Sequence, residues 1–128
     1  MPPPSLRVLV IDHDRAHAES IAEALANNGH EIAVAESATE ALAIAKRRSP
    51  EVVVLDVTLP DANGYEVASV LRRDVVPKCL IIALSNLGES HDVPTSHDPD
   101  SYIDLHLTKP VDGAQLSSLI NYVYAKRT

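Results

Sequence analysis

Val52-Val53-Val54-Leu55-Asp56 sets four apolar residues before an acid, and Val57-Thr58-Leu59-Pro60-Asp61-Ala62-Asn63-Gly64 follows it. An unbroken apolar run of this length reads as a strand buried on both faces, the pattern of a parallel sheet covered by helices. Pro60 and Asn63-Gly64 are loop signals, so Asp56 stands where a buried strand opens into a loop. Outward from this run the pattern repeats. Leu6 to Ile11 is an apolar run broken only by Arg7 and ends in Asp12-His13-Asp14, Cys79 to Leu84 is another apolar run and ends at Ser85-Asn86, and Tyr102 to Leu107 is a fifth strand that ends at Lys109-Pro110. Glu31 to Ala35 is a short second strand.

Helical stretches separate these strands. Arg15 to Asn27 is rich in Ala and Glu, has Ile21 and Leu25 four apart, and stops at Asn28-Gly29. Ser37 is placed to cap a second helix, with Glu40 completing a capping box, and that helix runs to about Arg48 ahead of Pro50. A third helix carries Val67, Val70 and Leu71 on one face. In the last, Leu116, Leu119, Ile120 and Val123 fall at i, i+3, i+4 and i+7. Strands alternating with helices predict an α/β fold with a parallel sheet wound on both faces. Ligands of such sheets bind at the carboxyl edge, near the switch in strand order. Asp12, Asp56, Ser85 and Lys109 all fall at or just past strand ends, so four polar groups from four strands are expected to converge there.

Gly88 to Ser101 breaks the pattern. A fourth helix is due there, but the stretch carries Pro94, Pro99, a near-repeat in Ser90-His91-Asp92 and Ser96-His97-Asp98, and Val93 as its one strong apolar residue. A loop, or a turn or two of helix, is expected. The spacing of His91 and His97 matches no tetrahedral metal pattern, and a solvated loop is the reading. Met1 to Ser5, with three consecutive prolines, is expected to be a mobile tail, and 6–128 a single domain.

Composition narrows the function. The 128 residues fit one core, and with no Trp or Phe that core is aliphatic. A formal net charge of −7 argues against nucleic acid or an anionic membrane as a partner held by charge. The single Cys79 excludes an internal disulfide, fits a reducing cytosol and reads as a small buried hydrophobe. The N-terminus has no apolar core of a signal peptide, and no run approaches membrane-spanning length.

Clustered carboxylates repel one another unless a hard cation such as Mg²⁺ neutralises them. A phosphoryl group placed among them also needs positive and hydrogen-bonding partners, which Lys109 and the Ser85 hydroxyl can supply. The stretch Asp56 to Gly64 resembles the phosphoacceptor loop of the response-regulator receiver family. Val8 to Asp12 resembles that family's first strand with its leading acid, Ile81 to Ser85 the strand ending in its switch Ser or Thr, and Leu107 to Pro110 its Lys-Pro segment, where a cis peptide bond is usual. The resemblance spans nearly the whole chain. It implies a flavodoxin-like five-stranded sheet of order 2-1-3-4-5 and phosphorylation-controlled signalling in the cytoplasm. Asp56 would be phosphoacceptor and metal ligand, Asp12 a second ligand, and Thr58 a third through its backbone carbonyl, with Mg²⁺ as the ion. A histidine kinase or phosphotransfer protein would be the donor; the output is left open, and no enzymatic action on a free substrate is implied.

Three departures stand out. His13 occupies the place of the family's second acid, so either Asp14 substitutes or metal binding is weakened, altered or passed to another divalent ion. His106 stands where a switch aromatic is usual, so coupling to Ser85 is absent or different. The third is the 88–101 segment. Together they favour a rival reading, a phosphorylation-independent binding module that kept the fold and lost the switch; Asp56, Ser85 and Lys109 oppose it.

Overall fold

The computed structural model describes residues 5–86 and 102–127. The 88–101 segment, with His91 and His97, lies outside the described residues, as does the N-terminal tail except for Ser5. Five parallel strands, β1 (Arg7–Ile11), β2 (Glu31–Ala35), β3 (Val52–Asp56), β4 (Leu80–Asn86) and β5 (Leu105–Lys109), form one sheet of order β2-β1-β3-β4-β5. The helices are α1 (Arg15–Asn27), α2 (Ala38–Arg48), α3 (Gly64–Val70), which continues as one π turn over Leu71–Val75, and α4 (Gly113–Arg127). This is the flavodoxin-like doubly wound architecture.

Alternation along each strand divides the core in two. Leu9, Ile11, Val53, Leu55 and Ile81 point to the α2 and α3 side, packing with Ala41, Ala45, Val67 and Leu71. Val8, Val10, Val52, Val54, Leu80, Ile82 and Leu84 face the α1 and α4 side, with Ile21, Leu25, Leu116 and Ile120. Every residue of β3 is buried, Asp56 included. The sheet therefore carries a carboxylate into its own interior, which is costly unless the carboxylate is paired.

The helix ends follow their chemistry. Asp14 caps α1 by accepting from the His17 N–H, Ser37 caps α2 by accepting from the Glu40 N–H, and Gly29 turns the chain after α1 at φ +90°. Two expectations need correction. Val70 is one of two large apolar residues exposed among the described ones; Val67 and Leu71, four apart, form the buried stripe with Ala68 instead. β5 begins at Leu105 and runs to Lys109, later than the expected strand from Tyr102 to Leu107. Asp104 is occupied beforehand: its Oδ2 accepts from the Ile81 N–H at 2.8 Å and from Arg72 at 2.7 Å, while Arg72 also donates to the carbonyls of Pro77, Cys79 and Tyr102. β5 is an edge strand, so its burial alternates, unlike that of β3.

At the opposite edge from Asp56, His30 is 5% exposed, and its Nδ1 accepts from the Leu6 N–H at 3.1 Å. Burial holds its pKa below the ordinary 6.5, against a raising hydrogen bond with Asn121. The unfolded chain therefore takes up this proton at a higher pH than the folded one. The His30 contribution is complete above about pH 6.5 and is lost as pH falls through the lower folded value. His30→Asn keeps an acceptor for Leu6 but cannot titrate. Thermal melts from pH 7.5 to 5 are expected to show a smaller loss of stability in this variant than in the parent chain.

Candidate functional site

β1, β3 and β5 deliver Asp12, Asp56 and Lys109 to one point at the carboxyl edge. Both carboxylates are fully buried. Lys109 Nζ lies 3.1 Å from Asp12 Oδ2, 3.2 Å from Asp12 Oδ1 and 3.2 Å from Asp56 Oδ2. One ammonium thus bridges two carboxylates, and the cluster keeps one net negative charge. The Lys109–Pro110 peptide is cis, as the resemblance implies.

Each carboxylate is also held from its own loop. Asp12 Oδ1 accepts from the Asp14 N–H at 2.9 Å, and Asp56 Oδ1 accepts from the Thr58 N–H at 2.9 Å. The two acids consequently respond in opposite directions. Burial would raise the Asp12 carboxyl, but hydrogen bonds from His17, the Asp14 N–H and Lys109 outweigh it and hold Asp12 below its usual value. Burial and the charge of Asp12 push Asp56 up despite the Thr58 N–H and Lys109. The two carboxylates titrate as a coupled pair. Burial would lower Lys109, and its contacts with both carboxylates more than reverse this.

His13 borders the cluster on the open side, half exposed, with Nδ1 3.1 Å from Asp56 Oδ2 and 3.9 Å from Asp12 Oδ1. Asp12, His13 and Asp56 can each turn a ligand atom to within 4.8 Å of the others. Asp14, the alternative to His13 in the sequence reading, instead uses its carboxylate as the α1 cap. Thr58 contributes its N–H to Asp56 and forms an antiparallel bridge with Asn63. Ser85 lies in β4, one residue beyond Leu84, the register partner of Asp56, and pairs with Thr108 next to Lys109. His106 pairs with Ala83, and its ring stands 6.0 Å from that of Tyr65 on α3; partial burial lowers its pKa.

Two contributors escape a reading by motif. His17 Nδ1 is 2.6 Å from Asp12 Oδ2. The signal was its position in the first turn of α1, where side chains lean back toward the preceding strand end. Asp61 reaches α2: its Oδ1 accepts from the Ala38 N–H at 2.8 Å, and its Oδ2 from the N–H and hydroxyl of Thr39. Those backbone donors hold the Asp61 carboxyl below its usual value. The loop after Asp56 is thereby fastened to the neighbouring helix.

The donor set fits a divalent cation in part. Two buried carboxylates are oxygen ligands of the kind that Mg²⁺ takes, whereas the His13 imidazole suits a softer ion.

The model of the response regulator receiver domain matches residues 8–121. Protein PilH of Pseudomonas aeruginosa is 26% identical, covering 93% of this chain and 98% of PilH. Transcriptional regulatory protein AfsQ1 of Streptomyces coelicolor is 33% identical over 94% of this chain and 51% of AfsQ1. Response regulator MprA of Mycobacterium sp. (strain KMS) is 37% identical over 66% of this chain. The chain spans about half the length of AfsQ1 and 37% of MprA. Among solved structures, a CheY-like receiver domain protein from Methanospirillum hungatei aligns with a TM-score of 0.85 at 23% identity, over 97% of each chain. The receiver domain of the Francisella response regulator 1452 aligns at 0.81 and 27% identity, over 97% of this chain and 100% of that one. No helix among the described residues is long and apolar enough to cross a membrane.

Proposed function

The chain belongs to the response regulator receiver domain family of two-component signalling, and we propose that within it Asp56 is the phosphoacceptor. The observation that carries this is the buried Asp56 carboxylate at the end of β3, 3.2 Å from Lys109 Nζ and beside the buried Asp12. An Asp56 oxygen forms a bond to phosphorus, and the bond from phosphorus to the donor breaks, with the electron pair leaving on the donor group. The product is an acyl phosphate. Such a transfer needs positioning and charge stabilisation more than covalent help from the protein. Lys109 is free to turn from the carboxylates to a phosphoryl oxygen, and the Ser85 hydroxyl donates to another. Asp12, Asp56 and the Thr58 carbonyl would hold a divalent cation, Mg²⁺ in the family, which offsets the added negative charge when bound. Thr58 N–H and the Asp61 clasp on α2 keep the Asp56 loop in place.

The donor under this reading is a phosphohistidine of a histidine kinase or phosphotransfer protein, encountered in the cytoplasm. Nucleic acid and membrane are not partners of this domain, whose charge is negative. The comparisons lend no support to a binding module that lost its switch. The test is direct: incubation with acetyl phosphate and a divalent cation is expected to add the mass of one phosphoryl group, labile to hydroxylamine, and Asp56→Asn is expected to abolish it. Uptake by the variant at the parent rate would sink the assignment.

A further inference from the structure

His13 is the one nitrogen donor of the cluster that faces solvent while reaching both carboxylates. Its Nδ1 lies 3.1 Å from Asp56 Oδ2 and 3.9 Å from Asp12 Oδ1. These separations bracket the ligand-to-ligand edge of about 3.4 Å in a tetrahedron built on bonds of about 2.1 Å. The carboxylates are oriented from behind: the Thr58 N–H holds Asp56 Oδ1 and His17 holds Asp12 Oδ2. Such outer contacts fix the direction of first ligands in built metal sites. His17 is 14% exposed, so this contact is shielded from water.

We propose that Asp12, Asp56 and His13 form a mixed oxygen–nitrogen site that selects a borderline divalent transition ion of the Zn²⁺ and Co²⁺ class, with His13 Nδ1 as a ligand. Mg²⁺ demands an octahedron of oxygens and gains little from imidazole, whereas these ions take imidazole and carboxylate together. Three protein ligands leave a fourth position open on the His13 side, where water or a phosphoryl oxygen can enter. Lys109, bonded to both carboxylates, balances their charge beside the ion. His17 is a positioning residue that acts through Asp12.

This assignment deepens the phosphoacceptor reading and rests on it for its purpose, yet its test uses unphosphorylated protein. Calorimetric titration with Zn²⁺, Co²⁺ and Mg²⁺ is compared between the parent chain and His13→Ala. Loss of the ligand is expected to weaken Zn²⁺ and Co²⁺ at least about tenfold and to change Mg²⁺ by less than about twofold. His13→Asp is expected to strengthen Mg²⁺ and reverse the selectivity. The visible spectrum of the Co²⁺-loaded parent is expected to lose intensity in His13→Ala, and the His13 ring nitrogen signals in NMR to shift substantially further with Zn²⁺ than with Mg²⁺. Equal weakening of all three ions, or Zn²⁺ uptake unchanged in His13→Ala, would overturn the proposal, since the ion then binds without His13. If acetyl phosphate fails to label Asp56 with every ion while the His13-dependent selectivity stands, the phosphoacceptor reading falls and the ion assignment remains.

Discussion

Lys109→Met is expected to destabilise the domain by about 3 kcal/mol at neutral pH and to bring beryllofluoride binding to background. The side chain is 10% exposed and is the ammonium shared by two buried carboxylates. Met preserves most of the volume, so the loss reports the charge. Breaking a buried pair from one side costs about 3–5 kcal/mol, because the remaining charge is left without a partner. The lower end applies here, since His13 keeps one side of the cluster open to water. The deficit depends on pH in a defined direction. Burial already raises the Asp56 carboxyl above its ordinary 3.8, and without Lys109 it rises further. A group with a raised folded pKa favours the folded state below its unfolded value and loses that contribution as pH rises through the folded one. The variant should therefore lie nearest the parent in stability at about pH 4 and fall furthest behind at pH 7. Urea midpoints across this range measure it. A deficit that stays constant with pH would mean that Lys109 contributes packing and not charge. Asp56→Asn provides the contrasting case: one carboxylate then faces one ammonium, and the variant should be no less stable than the parent.

Gly64→Ala is the other large effect, about 3 kcal/mol of lost stability with displacement of Asp56. A Cβ on Gly64 would lie 2.5 Å from Val57 Cα and 2.7 Å from the Asp56 carbonyl oxygen. Both are backbone atoms, so no side chain can swing aside. The Gly64 N–H donates to the Val57 carbonyl at 2.9 Å and Thr58 bridges Asn63, which closes the loop tightly on itself. Overpacking of this kind typically costs about 1–3 kcal/mol, and a rigid backbone contact belongs at the upper end. The same shift moves the strand end that presents Asp56. Phosphoryl uptake at a temperature where the variant remains folded should thus fall as well. Denaturant midpoints together with labelling rates separate the two losses. An unchanged midpoint would mean that α3 can back away from β3 without penalty.

Much of this molecule was written in short-range pattern. Val52 to Leu55 reads as a doubly covered strand because burial on both faces removes any polar alternation, and the structure leaves all of β3 buried. Asp12, Asp56 and Lys109 could be placed at strand ends because parallel strands share one carboxyl edge, whereas the strand order was implied by the resemblance to the receiver family. The caps at Ser37 and Gly29 needed only local chemistry. Other features depended on contacts between distant segments, and no local pattern contains them. Just ahead of β5 the Asp104 carboxylate takes the Ile81 N–H of β4 and is itself held by Arg72, thirty-two positions earlier. Asp61 ties the loop after Asp56 to α2 across twenty-three positions. Val70 is exposed because packing chose the Val67–Leu71 stripe for burial. His17 looks like any helical histidine until α1 docks and sets its ring 2.6 Å from Asp12. The opposite pKa directions of Asp12 and Asp56 likewise arise from partners that the folded chain brings to each, the His17 hydrogen bond lowering Asp12 and the charge of Asp12 raising Asp56. Residue types and their periods determined the sheet, and the resemblance of the Asp56 to Gly64 loop to a known family pointed to the candidate acceptor. Only the assembled edge decided how the charge is shared there, because electrostatic and hydrogen-bond partners are chosen by distance in space and not along the chain.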